Sequence, residues 1–408
     1  MPAMGNIPSV RVLFVHRAFP AQFRRLALYL AAQPGISVLG LGDMALLRGR
    51  GSSWLAGSGI NVLGYEFNED DHLAGPEVFE RRARAVANVA LDLRRRGFSP
   101  DLVFAHASFG EAVHLKEVFE GAKLIVYCEW FYNAPLMDDR EIDLAVLHEE
   151  HTRNEHNARI LAALEAADVG WAPTQWQRAQ FPAQYQAKIA VIHDGIDTDF
   201  VRPAVTPDGE PVVTFATRSL EPARGFHVFM RALPEIQARS PQARVVIAGS
   251  DIPAYGSARS DGTTHRAALL RELQGRLDLA RITFSGMLPY AEFVALLQRS
   301  SVHVYATFPF VLSWSLIDAL AAGCLIVGSR TPPVEEVIRH GDNGLLFEYA
   351  SSELAARVDE ALHRPDAQQL RANARRTACE RYDWERVCLP AQLRMIRDVM
   401  AAHNVKKR

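Results

Sequence analysis

The run Val10–His16 (VRVLFVH) is almost continuously apolar and β-branched, and it is followed by an amphipathic segment, Ala21–Gln33, and a second apolar run, Ile36–Gly42. Strands that are apolar on both faces belong to parallel sheets covered by helices, so this is a β-α-β unit. The pattern returns at Asp101–Ala107, with a helix over Glu111–Glu120 and a strand at Lys123–Cys128, then at Asp168–Thr174 and Lys188–His193. At Asp194–Pro211 (DGIDTDFVRPAVTPDGEP) Gly, Pro, Asp and Thr cluster without periodicity, as in an interdomain linker. The same plan then restarts. Val212–Thr217 reads as a strand, Phe226–Ala238 as a helix and Ala243–Gly249 as a strand, with further strands at Arg281–Ser285, Val302–Thr307 and Cys324–Ser329. Trp384–Val405 is helical in pattern with no strand after it.

A chain of 408 residues is too long for one ordinary domain. The expected architecture is therefore α/β with two Rossmann-like, doubly wound domains. They comprise residues 1–195, a linker at 196–211, residues 212–385, and a terminal helix at 386–408 that crosses back onto the first domain or caps the second. A formal net charge of -2 argues against a dedicated nucleic-acid binder, which needs a basic surplus to neutralise phosphates. Cys128, Cys324, Cys379 and Cys388 form no CxxC pair and read as reduced thiols. No apolar stretch is long enough to span a membrane, and Met1–Val10 lacks a signal-peptide layout, so a cytoplasmic location is expected.

The segment Tyr305–Gly323 (YATFPFVLSWSLIDALAAG) lies between two strands and reads as a loop leading into a helix from about Ser313 to Ala322, with Gly323 in the position that terminates helices. The N-terminus of such a helix faces the carboxyl edge of the sheet, where its N–H groups and dipole can hold a phosphate. Ser313 and Ser315 add hydroxyls. Asp318 lies too deep for a cap and suits the two hydroxyls of a ribose, although a core helix with a solvated Asp has the same pattern. Arg218 and Arg224 in TRSLEPARG follow the first strand of the second domain and can clamp a diphosphate, offsetting charge that grows as its glycosidic bond breaks. Solvated loop arginines are the alternative.

Other signals carry less. His148, Glu149, Glu150, His151 and His156 lack HExxH spacing and read as a solvated helix face. Gly40, Gly42 and Ala45 form a GxGxxA string that opens no clean helix, and the chain has no GxxxxGK or GxSxG. Glu80–Arg96 is a basic amphipathic helix with Arg81, Arg82, Arg84, Arg94, Arg95 and Arg96, which is either solvated or a peripheral contact with an anionic membrane.

The second half resembles the family-four retaining glycosyltransferases of the GT-B fold, glycosyl transferases group 1. TRSLEPARG is similar to the family's G-R-L-x-x-x-K-G loop, VIHDGID to I-P-N-G-V-D, and FSGMLPYAEF to its F-x-G segment. FVLSWSLIDALAAGCLIVGS, followed by PPVEEVI and NGLLF, is similar to E-G-F-G-x-x-x-x-E-A-x-A-x-G-x-P-V-V. The resemblance spans residues 190 to 385 and implies two Rossmann-like domains facing across a cleft. It further implies that Arg218 and Arg224 bind the diphosphate of a nucleotide-sugar donor, that the backbone at Leu312, Ser313 and Trp314 contacts phosphate, that Asp318 holds the ribose, and that Met287 lies near the base. Two departures stand out: Phe310 occupies the place of the family's first acidic residue, which touches the donor sugar, and Asp318 replaces a Glu.

HRAFPAQFRRLA, HASFGEAVHLKEVF and YCEWFY resemble a bacterial branch beginning H-x-x-F-P-x-Q-F. That branch implies acceptor-side contacts at His16 and Gln22 and catalytic roles for His106 and Glu129; a Glu129 satisfied by neighbouring amides is the alternative. The implied activity is glycosyl transfer, with retention, from a nucleotide-diphosphate sugar to a glycan, lipid-linked or small-molecule acceptor in bacterial glycan synthesis. The arginines and the helix end take the charge role of a divalent ion, so no metal or other cofactor is expected. A nucleotide-sugar epimerase of the same fold and a catalytically silent nucleotide-sugar-binding subunit are the rival functions.

Overall fold

The computed structural model describes residues 10–50, 55–67, 76–135, 141–142, 150–204 and 209–402. The start of the chain at 1–9, His148 and Glu149, part of the Pro- and Gly-rich stretch at 205–208 and the end of the last helical pattern lie outside these residues. Two compact units are present. The first is Met1–Asn133, Glu150–Asp194 and Leu389–Arg408, and the second is Ala134–Glu149 and Gly195–Cys388.

Among the described residues the first unit holds a seven-stranded sheet in the order β3-β2-β1-β4-β5-β6-β7. Its strands are β1 (Val10–Val15), β2 (Ile36–Asp43), β3 (Asn61–Tyr65), β4 (Leu102–His106), β5 (Lys123–Tyr127), β6 (Val169–Ala172) and β7 (Ile189–Val191), all paired in parallel. β4 is buried at every position, as a strand covered on both faces must be. Phe14 of β1 stacks on Phe104 of β4 with ring centroids 4.7 Å apart, tying the two central strands together. The second unit's sheet runs β10-β9-β8-β11-β12-β13, again parallel, with β8 (Val212–Ser219), β9 (Arg244–Ser250), β10 (Ile282–Gly286), β11 (Val302–Tyr305), β12 (Ile326–Ser329) and β13 (Leu345–Phe347). Two doubly wound parallel sheets are the GT-B plan.

Several elements differ from the sequence reading. The helix expected over Glu111–Glu120 contracts to Leu115–Val118, because Glu111 is drawn into the interior to accept a hydrogen bond from Tyr65 Oη at 2.6 Å. Ala21–Gln33 divides into a 3₁₀ turn at Ala21–Phe23 and a helix at Arg24–Ala31. β3 is half-exposed, so it lacks the apolar run that reveals its neighbours. Trp384–Cys388 forms a π turn before the helix Leu389–Ala401. Within the second unit Ile196 pairs with Asp383, and Thr198 Oγ1 donates to the Asp383 carboxylate, so this stretch is packed rather than loose. The basic helix, observed as Pro76–Arg95, is not uniformly solvated: Arg82 is buried over the Phe67 ring and donates to the Phe109 carbonyl. Glu150–Ala166 is a helix on which His151 pairs with Glu155.

Candidate active site

In a doubly wound sheet the ligand crevice opens where the strand order reverses, outside the carboxyl ends of the strands. The order in the second unit reverses between β8 and β11. β8 ends at Ser219 and leads into a 3₁₀ turn, Pro222–Arg224. Gly225 then turns the chain with φ 68°, and a Cβ there would lie 2.3 Å from Cβ of Ala306, so only glycine lets this turn press against the end of β11. Across the same point, β11 leads through a loop to the helix Trp314–Ala321. The fold thus brings Arg224 and the candidate phosphate-binding helix to one crevice.

Arg224 is 4% exposed. Its Nη1 donates to the Val311 carbonyl at 2.9 Å and to Thr307 Oγ1 at 3.3 Å, and its guanidinium lies over the Tyr255 ring at 4.6 Å. Burial opposes its charge, but Tyr255, Tyr305 and Glu221 outweigh that penalty and hold its pKa above the ordinary value. Arg218, by contrast, is exposed near the end of β8.

Ser313 is the N-cap of the helix, its Oγ accepting the Ser315 N–H at 3.3 Å, while the Ser313 N–H donates to Tyr305 Oη at 3.0 Å. The helix start is therefore partly capped from within. Leu312 is buried and Trp314 is exposed. Gly323, with φ 70°, closes the helix. Asp318 is 5% exposed and accepts a hydrogen bond from Tyr290 Oη at 2.8 Å, so it is not a solvated carboxylate. Tyr290 stacks with Phe200 at 5.7 Å, and Met287 stands exposed just after β10. Phe310 meets the Tyr255 ring edge-on at 5.7 Å.

In the first unit the order reverses between β1 and β4. His16 follows β1 and His106 ends β4, and their rings meet edge to face at 5.4 Å. Nδ1 of His106 accepts the Ser108 N–H at 3.1 Å, which puts the proton of the neutral ring on Nε2. That nitrogen lies 3.3 Å from a Glu129 carboxylate oxygen, and the Glu129 side chain is 46% exposed against 1% for His106. The Glu129 carboxylate thus lies within reach of a buried imidazole. Burial raises the pKa of Glu111, partly countered by the Tyr65 hydroxyl, Arg82 and His106. Gln22 lies in the turn Ala21–Phe23, and its Nε2 is buried without a hydrogen-bond partner among the described residues.

Models of the "Glycosyl transferase family 4 group" and of "Glycosyl transferases group 1" match residues 57–201 and 197–378. The chain belongs to the family-four, group 1 glycosyltransferases. A phosphatidyl-myo-inositol mannosyltransferase of Mycobacterium tuberculosis is 28% identical over 229 residues, 53% of this chain and 55% of that protein. The glycogen synthase of the same species is 28% identical over 204 residues, 49% of this chain and 46% of that one. This family member thus spans about half the length of the curated relatives it matches. In fold it is similar to a sucrose-phosphate synthase from Thermosynechococcus elongatus, with a TM-score of 0.75, 18% identity and coverage of 96% and 100% of the two chains. A HepE protein of Anabaena, solved in complex with UDP and glucose, gives 0.71 with 16% identity over 96% and 100%.

Glu221, Tyr255, Tyr290 and Glu111 escape the sequence reading. Glu221 lies between the two arginines of TRSLEPARG, and that position is the one local signal that marks it. Cys128 and Cys324 are buried free thiols whose pKa values burial pushes up to about 12. Among the described residues no group of three or more His, Cys, Asp or Glu is placed to hold a metal ion, and no helix is long and apolar enough to cross a membrane. A cavity of about 350 Å³ lies beside the helix His265–Glu272, but its Arg231 is paired with Glu141 and Glu272 and its Arg259 with Asp261.

Proposed function

We propose that this family member transfers a sugar, with retention, from a nucleotide-diphosphate sugar to an acceptor hydroxyl in bacterial glycan or glycoconjugate synthesis. What supports this reading is that Arg224 reaches the Val311 carbonyl, just before the helix Trp314–Ala321 that carries the buried Asp318, at the switch point of the second sheet. In this reading residues 212–385 form the donor domain. Arg218, Arg224 and the backbone at Leu312, Ser313 and Trp314 take the diphosphate, Asp318 the ribose, and Met287 the edge of the base. As the glycosidic bond breaks, negative charge gathers on the leaving diphosphate, and preorganised guanidinium and N–H groups stabilise it without further reorganisation. This charge role needs no metal ion.

In this reading the unit made of Met1–Asn133, Glu150–Asp194 and Leu389–Arg408 is the acceptor-side domain. His16 and Gln22 would bind the acceptor. Glu129, oriented by His106, would steady the oxocarbenium-like transition state or hold the acceptor hydroxyl. A glycan, lipid-linked or small-molecule acceptor fits this reading. Peripheral membrane contact would run through the exposed Arg81, Arg84, Arg94, Arg95 and Arg96 on a chain that works in the cytoplasm. Phe310 favours one second reading, a subunit that binds nucleotide sugar without turnover, because a packed aromatic ring replaces a carboxylate that would touch the sugar.

Thermal unfolding with UDP, GDP, ADP and dTDP and their common sugars tests the donor site, since a ligand of the folded state raises its stability. A selective rise that Arg218→Ala and Arg224→Ala each weaken by about 10- to 100-fold in ligand concentration is expected for lost charge-assisted hydrogen bonds. Normal affinity in both variants would overturn the site. Binding without transfer to any acceptor would favour the silent subunit.

A further inference from the structure

Glu221 is 1% exposed, and its carboxylate accepts three successive backbone N–H groups, from Ala254 at 3.3 Å, Tyr255 at 3.2 Å and Gly256 at 2.8 Å, along with the hydroxyl of Ser219. Its own backbone carbonyl accepts the N–H of Arg224 at 3.1 Å and of Phe226 at 3.4 Å. One residue therefore fastens two segments far apart in the chain: the turn that carries Arg224 and the loop that carries Tyr255. A buried carboxylate is stable only when its oxygens are fully hydrogen-bonded, and here those bonds immobilise a loop that has no sheet or helix of its own. What the loop delivers is the Tyr255 ring, 4.6 Å beneath the Arg224 guanidinium and braced from the side by Phe310.

An arginine has several rotatable bonds and orients poorly unless its plane is held. The Val311 carbonyl and Thr307 hydroxyl hold one edge of Arg224, and the Tyr255 ring holds one face. We propose, resting on the donor-site reading above, that Tyr255 is a positioning residue for Arg224: its ring, anchored through the loop backbone by Glu221, fixes the guanidinium in the orientation that receives the donor diphosphate. Phe310 then serves to support that ring, which gives the aromatic residue a role at a position where the family carries an acid.

The test is a double-mutant cycle on the full chain, read as the affinity for whichever of UDP, GDP or ADP binds the wild type, by calorimetry. Tyr255→Ala should weaken diphosphate binding by about tenfold, the scale of a desolvated cation–π contact. Tyr255→Phe, which keeps the ring and removes only the hydroxyl that also hydrogen-bonds Arg224, should lose less affinity than Tyr255→Ala. The Arg224→Ala Tyr255→Ala double variant should bind no more weakly than Arg224→Ala alone, because a ring that acts through the guanidinium has nothing left to orient. Glu221→Gln, which keeps the volume but weakens acceptance of the three N–H groups, should reproduce the Tyr255→Ala loss, with a cooperative unfolding transition in each variant as the folding control. Full additivity of the two alanine losses, or wild-type affinity in Tyr255→Ala, would overturn the positioning role while leaving the donor site standing. Absence of diphosphate binding by the wild type would overturn both.

Discussion

Replacing Gly225 by alanine should destabilise the second unit, for two separable reasons. Its φ of 68° is left-handed, which costs an L side chain about 1–2 kcal/mol. The added Cβ would also lie 2.3 Å from Cβ and 3.0 Å from the carbonyl carbon of Ala306, whereas carbon atoms prefer about 3.5–4 Å, so the turn or β11 must shift by roughly 1 Å. Overpacking of this kind costs about 1–3 kcal/mol, giving a total of about 2–5 kcal/mol. Gly262 is the matched control, with φ 70° and no atom within 4 Å of its added Cβ, so Gly262→Ala should show the backbone part alone. The assay is urea unfolding read by hydrogen exchange on peptides from the second unit, so that each unit's transition is followed separately. With a urea dependence of about 2–3 kcal/mol per molar, Gly225→Ala should lower the midpoint by about 0.7–2.5 M and Gly262→Ala by about 0.3–1 M, with Gly225→Ala the larger of the two. Gly225→Ala should also weaken nucleotide-diphosphate binding, because the displaced turn carries Arg224, whereas Gly262→Ala should not. Equal midpoints for the two variants would refute the close-approach reasoning.

Asp318→Asn removes the charge from a buried carboxylate that already accepts the Tyr290 hydroxyl, and it should weaken nucleotide binding by about 10- to 100-fold and erase any preference for ribonucleotides over their 2′-deoxy forms. Titration with both sugar forms checks it, and an unchanged preference would refute the ribose role. Burial pushes His303 down to about 4, with Thr214 Oγ1 2.8 Å from its Nδ1. Between that value and the ordinary 6.5 or so, the unfolded chain takes up a proton that the folded chain does not. Stability should therefore fall as the pH drops through this window, by up to about 1.4 kcal/mol per unit, and His303→Gln should flatten that part of the pH profile of the urea midpoint.

Much of the second unit is legible because its signals are local. β8, the helix after β11, its Ser313 cap and its Gly323 terminator each depend on residues within a few positions of one another, where backbone preference and apolar period act directly. β13 and β3 are short or half-exposed, so the period that reveals a buried strand is missing in them. The helix expected over Glu111–Glu120 fails for a different reason: its local pattern is overridden by the hydrogen bond from Tyr65, 46 positions away.

Two doubly wound parallel sheets, with arginines, a capped helix and a carboxylate after particular strands, are readable from the amino-acid order, since strand burial and capping are properties of short segments. Which of these groups meet is a matter of strand order and packing. Strand order brought the ends of β8 and β11 together and the ends of β1 and β4 together, setting Arg224 beside the Val311 carbonyl and His16 beside His106. It buried Arg224 and left Arg218 exposed, although the two lie in the same short motif. It also joined Glu221 to N–H groups 33 to 35 positions away and Tyr290 to Asp318 across 28. Hydrogen bonds and ring contacts reach only a few ångströms in space whatever the separation along the chain, so their partners are chosen by the folded topology.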